Sequence, residues 1–139
     1  MSDPALAIQG AMIAALKLSE AGTLVAGRVY DDPPATQPGS TPTFPYISFG
    51  ATQTVPERAD CLDGSEHYVT IHAWSRAKGS PEVKRLAGAI REALHDAELD
   101  VPGFRLIDLA MEDAKVMRDP DGLTSHAALS FRALVDPID

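Results

Sequence analysis

Apolar residues recur along the chain at two different spacings, and these divide it into helices and strands. From Asp3 to Gly22, Leu6, Ile8, Met12, Ile13, Leu16 and Leu18 return at helical intervals. Asp3 suits the N-cap and Pro4 the first turn, where an absent N–H leaves no bond unmade. Only Gln9, Gly10 and Lys17 interrupt this helix, so most of its surface is expected to be covered, by the sheet or by a neighbouring subunit. A second helical stripe, Val83, Leu86, Ile90, Ala93, Leu94 and Ala97, follows Ser80 and Pro81 and predicts a helix over 80–97 with Glu82 in its first turn. Arg85, Arg91, Glu92 and Asp96 fall away from that stripe and form its solvated face.

Elsewhere the spacing is two, the period of a strand. A short strand is expected at 28–30 and another at 46–52, with Ile47, Phe49 and Ala51 on one face. The next, 66–75, sets Val69, Ile71 and Ala73 against Tyr68, Thr70, His72 and Trp74. A sheet with one wet face would show a polar outer row there, so the bulk of Tyr68, His72 and Trp74 marks a candidate contact surface. Two long patterns, 104–117 and 123–135, flank Asp119-Pro120-Asp121-Gly122 and predict a hairpin. Ala127, Leu129, Phe131, Ala133 and Val135 form the core row of its return arm, alternating with His126, Ser130 and Arg132. Arms of that length reach about 40 Å, whereas the helix over 80–97 covers only about 25 Å, so the hairpin overshoots its cover. Its distal part carries Asp113, Lys115, Arg118, Asp119 and Asp121. Such charge keeps an arm soluble until it pairs with a neighbour, which makes Lys115 and Arg118 candidate subunit contacts and strand pairing between subunits the expected mode. The fold class that follows is α/β (α+β): a mostly antiparallel or mixed sheet of about 4–5 strands, two helices packed on one face, and a long C-terminal β-hairpin.

The 139 residues suit one domain, 1–139. Residues 31–45 hold five of the eleven prolines and are expected to be an extended, exposed loop, and 55–64 break the strand pattern again. Twenty acidic against twelve basic residues give a net charge of −8, which disfavours a sequence-reading duplex binder. One cysteine excludes an intramolecular disulfide and suits a reducing compartment such as a cytoplasm. No basic leader and no apolar run of about 18 residues is present, so neither a signal peptide nor a membrane span is expected.

Candidate chemistry changes little in this picture. Cys61, His67, His72, His95 and His126 lack the spacings of metal-binding motifs, and His67 and His72 lie an odd number apart on one strand and so face opposite ways. Cys61 sits beside Asp60 and Asp63, which would raise its thiol pKa and quench any pairing with His67. No phosphate-binding loop, nucleophile elbow or paired carboxylates occur in the sequence, so no catalytic residue, cofactor or metal is expected. Trp74 is expected in core or interface rather than as a ligand platform.

Three stretches resemble the tail-terminator, or tail-completion, family of long-tailed phages, prophages and gene transfer agents. They are Gly27-Arg28-Val29-Tyr30-Asp31 before the proline loop, Phe44-Pro45-Tyr46-Ile47 opening the next strand, and Tyr68-Val69-Thr70-Ile71-His72-Ala73-Trp74-Ser75-Arg76 before the helix at Pro81. The helix, the 106–109 strand and the Phe131-Arg132-Ala133 ending extend the resemblance over nearly the whole chain. It implies a structural protein that assembles as a hexameric ring on the last ring of the major tail tube protein, stops tube growth and meets a head-completion, or stopper, protein. It implies a place in the tail or neck of a virion or phage-like particle, with host cytoplasm before assembly, and no membrane. DNA would pass through such a ring without sequence-specific binding, and carboxylates lining the lumen would repel its phosphates. Glu57, Asp60, Asp63 and Glu66 are the expected lumen-facing or tube-facing residues, against the plainer alternative of a solvated acidic loop. Rival readings are a head-completion or connector ring of the same neck, and an acidic decoy, whose acids would form rows rather than lie scattered. A small enzyme dependent on Cys61 or His72 is the third.

Overall fold

Asp3 accepts a hydrogen bond from the Ala5 amide at 2.9 Å and starts helix α1 (Pro4–Leu18) in the computed structural model, which describes residues 3–31, 33, 42–56 and 64–138. The buried face of α1 is the single row Ile8, Met12 and Leu16, while Leu6 and Leu18 are 69% and 91% exposed, so the chain itself covers less of this helix than its composition suggests. The helix also stops short of Gly22. Both the hydroxyl and the amide of Ser19 return to the Leu16 carbonyl, at 2.7 and 3.2 Å, the competition with helix bonding that serine's short side chain offers. A second short helix, α2 (Glu20–Leu24), follows and buries Ala21 and Gly22.

The sheet has five strands: β1 (Val29–Tyr30), β2 (Tyr46–Pro56), β3 (Ser65–Ser75), β4 (Phe104–Arg118) and β5 (Ser125–Pro137). Their order is β1-β2-β3-β5-β4, with β1 parallel to β2 and every other pair antiparallel, so the sheet is mixed as expected. Between β3 and β4 runs helix α3 (Pro81–Leu94). The helices pack on one face, where Ile8, Met12, Leu16, Val83, Leu86 and Ile90 meet Ile47, Ile71, Leu129 and Phe131 in one apolar core. Ala127, Leu129, Phe131, Ala133 and Val135 are at most 1% exposed, which confirms the row foreseen on the return arm.

Two expected details shift. In β2 the register runs Ile47↔Ala73 and Phe49↔Ile71, then Thr52↔Val69, so one extra residue forms a bulge. Ile47 and Phe49 face the core, but the phase flips and Ala51 is exposed. A Cβ at Gly50 would overlap the His72 imidazole, so any side chain here would force that ring to shift. Helix α3 ends at Leu94 rather than at 97, because His95 and Asp96 are recruited to the edge of the sheet: the Asp96 amide donates to the Leu109 carbonyl at 2.8 Å and the Met111 amide to His95 Nδ1 at 3.0 Å. Ser80 stands before α3, yet its side chain makes no capping bond.

At the hairpin the Gly122 amide donates to the Asp119 carbonyl at 3.0 Å, and Gly122 takes the left-handed φ of 72° that the reversal requires. The connection is longer than expected, since Leu123 and Thr124 precede β5. The Asp121 carboxylate fixes it by accepting from the Leu123 and Thr124 amides, both at 2.9 Å, and from the Thr124 hydroxyl at 2.8 Å. Those bonds hold the Asp121 pKa below the usual carboxylate range. The overshoot is real: β4 spans about 50 Å and α3 about 21 Å, and every residue from Glu112 to Arg118 is exposed.

Candidate functional site

The outer face of the sheet, turned away from the core, divides into an aromatic end and a polar end. At the aromatic end Tyr46, Trp74 and His126 are direct partners across β2, β3 and β5. Trp74 stacks on His126 with ring centres 3.8 Å apart and planes 9° from parallel, and on Tyr46 at 6.0 Å. Its indole N–H donates to the Ser48 hydroxyl at 2.9 Å. Tyr46 meets Tyr30 and Phe44, and the Arg76 guanidinium lies 4.5 Å over the Phe44 ring. Arg28 holds this corner, donating through Nε to the Pro45 carbonyl at 3.0 Å and through a terminal nitrogen to that of Phe44 at 3.4 Å. At the polar end Arg132 pairs with Glu66 at 2.6 Å and lies 3.7 Å from Asp108, while the Tyr68 hydroxyl donates to Glu66 at 2.8 Å. That donation keeps the Tyr68 pKa above its ordinary value, and the bonds to Glu66 and then Tyr68 raise that of Arg132.

Tyr68, His72 and Trp74 therefore share one face, but Tyr68 belongs to an ionic cluster and the other two to an aromatic ladder. Lys115 and Arg118 lie on exposed β4, where Arg118 donates to the Gly122 carbonyl at 3.3 Å. Strand β4 is an edge strand, yet the Asp96 amide and His95 ring already occupy its backbone at Leu109 and Met111. The stretch beyond, residues 112–118, carries no such cover among the described residues and is open to another strand. Glu66 lies in β3 rather than in a loop, and its charge is matched by Arg132. Glu57, Asp60 and Asp63 lie outside the described residues, as does Cys61.

His67 and His72 do face opposite ways. His67 is buried on the core side, its two ring nitrogens 3.1 Å from the Thr54 hydroxyl and 2.7 Å from that of Ser65. On the outer face His72 Nδ1 and His126 Nε2 are 2.6 Å apart, close enough to share one hydrogen but not two, and Asp119 lies 3.8 Å from His126 Nδ1. Among the described residues no three metal-ligating side chains converge.

Burial lowers the pKa of all three histidines from the ordinary value. His126 deepens the shift at His72, whereas Asp119 opposes it at His126 and Asp3 opposes it at His67. The unfolded chain thus binds protons first as pH falls, so the stability these groups confer is complete above about pH 6.5 and declines below it. Thermal melts are expected to hold level from about pH 8 to 7 and to fall between about pH 6.5 and 5. Replacing His67, His72 and His126 together by glutamine should flatten that fall; an equal slope in the variant would contradict the assignment.

Sequence reasoning missed the Arg28 clamp and the His72–His126 contact, which joins residues 54 apart. A signal for the first did exist in the two motifs Gly27–Asp31 and Phe44–Ile47, whose joint occurrence is explained by Arg28 of one binding the backbone of the other.

Residues 10–136 match the family described as tail completion protein gp17. The tail completion protein gp17 of Bacillus phage SPP1 is 24% identical over 99 residues, 71% of this chain and 73% of that protein. Among solved structures, a chain from the virion of a native gene transfer agent particle aligns with a TM-score of 0.84 at 27% identity, covering 98% of this chain and 99% of that one. The structure of bacteriophage SPP1 gp17 shares the fold, with a TM-score of 0.59 at 22% identity over 96% of this chain and 89% of the other.

Proposed function

Because the chain belongs to the tail completion protein gp17 family, we propose that it forms the ring that ends a phage-type tail tube at its head-facing end and joins the tail to the head. It is a structural tail-completion protein of a phage-like or gene-transfer-agent particle and not an enzyme. The observation that carries the finer reading is the near-complete correspondence with a chain of an assembled gene transfer agent virion. The ring is a hexamer, seated on the major tail tube protein below and a head-completion protein above.

Ring closure needs two different surfaces on each copy, one fitting the other through a rotation that closes. The outer sheet face around Tyr68, His72 and Trp74 and the exposed arm with Lys115 and Arg118 serve as those surfaces. Strand pairing between copies uses the free stretch of β4 beyond Met111. The acidic loop residues Glu57, Asp60 and Asp63 face the lumen or the tube and keep DNA sliding; Glu66, neutralised by Arg132, adds little to that repulsion.

Deleting the gene and imaging the particles tests this directly. Heads without tails, together with tubes of uncontrolled length, are the expected result. Particles of normal form and infectivity, or normal gene transfer, would reject it.

A further inference from the structure

The sheet ends on two edges, each covered only in part and at opposite ends. On one side β1 pairs with Ile47 and Ser48 alone, so among the described residues β2 is itself an edge strand from its bulge onward. On the other, Asp96 and His95 cover β4 at Leu109 and Met111 and leave its distal part open. Residues 52–56 and 114–118 lie in these open stretches, in unbroken register with β3 and β5 and exposed throughout. Val55, Val116 and Met117 are 39%, 41% and 41% exposed there. Backbone polarity agrees. The Ile47 amide donates away from β3, to the Arg28 carbonyl, and alternation past the bulge turns the amide and carbonyl of Thr54 the same way. The Met111 amide points away from β5, and alternation past the bulge in β4 turns those of Ala114 and Val116 outward as well.

We infer that residues 114–118 of one copy pair antiparallel with residues 52–56 of the next, Val116 opposite Thr54, so that one sheet runs on from copy to copy. The inference rests on the ring reading and supplies the partner strand for the open part of β4. The β2 stretch, Thr52-Gln53-Thr54-Val55-Pro56, carries none of the charge that keeps an exposed edge solitary, and Pro56, with no amide to donate, ends it. Strand β4 runs opposite to β2, so the junction repeats the antiparallel pairing of the long strands. Copies cannot meet level. Val116 stands in the row of Ala127, Ala73 and Ile47, where β1 already occupies the edge, whereas Thr54 stands in the row of His67, six residues away along β3. That offset is about 20 Å along the strands for about 24 Å across five of them, which tilts the strands by about 40°, within the range at which sheets close on themselves. Pairing β4 with β4, or β2 with β2, would instead make a two-fold pair and leave the other edge bare. In the junction the neighbour's Lys115 and Met117 lie beside Val55 and Gln53. The partner of Gln53 on β3 is Tyr68, so the outer face continues from one copy into the next.

Cysteine cross-linking in assembled particles decides it. In a Cys61→Ser background, Val55→Cys is combined in turn with Asp113→Cys, Lys115→Cys and Met117→Cys, three exposed positions on one face of β4. Oxidation is expected to give a ladder of covalent oligomers, strongest with Lys115→Cys, and only monomer from each single-cysteine chain. A covalent dimer from Lys115→Cys alone would show β4 meeting β4 and overturn the inference. Rings visible in particles whose three double-cysteine chains all remain monomeric would overturn it while leaving the ring reading intact; a single copy at the neck would overturn both. Val116→Pro removes an amide that points to the open edge, so the purified chain should melt within a few degrees of the parent while incorporation into particles falls at least roughly tenfold. Unchanged incorporation of that variant counts against the pairing.

Discussion

Replacing Phe131 by alanine is expected to destabilise the chain by about 3 to 5 kcal/mol. Phe131 is 1% exposed at the middle of β5, opposite Val69 on β3 and Met111 on β4, so its ring is enclosed by strands on either side and helices above. Its removal loses the transfer of the ring and leaves a cavity that three strands cannot close by moving independently. Against a total stability of about 5 to 15 kcal/mol, the melting temperature should drop by about 10 to 20 °C. Phe131→Leu should recover most of that. A drop of less than about 1 kcal/mol for the alanine variant would mean that β5 is not the centre of the core.

Trp74→Ala should cost about 2 to 3 kcal/mol, less than the core residue because Trp74 is half-buried. The loss combines stacking on His126 and Tyr46 with the hydrogen bond to Ser48, which is 5% exposed. Trp74→Phe keeps the stacking and drops the bond, so about 1 kcal/mol is expected. Particle incorporation of these two variants then separates two roles of the outer face. Incorporation that follows stability assigns Trp74 to holding three strands together, and incorporation lost in a stable Trp74→Phe chain assigns it to a neighbour.

Sequence periodicity revealed most of the fold, because each strand of an α+β sheet records in its alternation which side is covered. The row from Ala127 to Val135, the stripe of α3 and the turn at Gly122 were all legible from local pattern. The opposite orientation of His67 and His72 was too, being a matter of parity along one strand. What escaped depends on partners distant in sequence. The bulge at Gly50 and Ala51 exists only relative to β3, and α3 ends early because His95 and Asp96 bind β4. Tyr68 and Trp74 looked alike as bulky outward residues. They differ because Glu66 and Arg132 surround the first, whereas Tyr46 and His126 flank the second. The outer surface and the arm were visible as uncovered features; the groove at the base of the hairpin was not, since residues 96–101, 104–109 and 137–138 form it only when folded.

Electron cryo-microscopy of intact particles, with the chain located by its own side-chain density, measures the central claim most directly. The expected map shows identical copies closed into one ring between the last layer of the tail tube and the first head-completion layer, hairpin arm of each against its neighbour. A solitary copy, or a ring placed away from that junction, would contradict it.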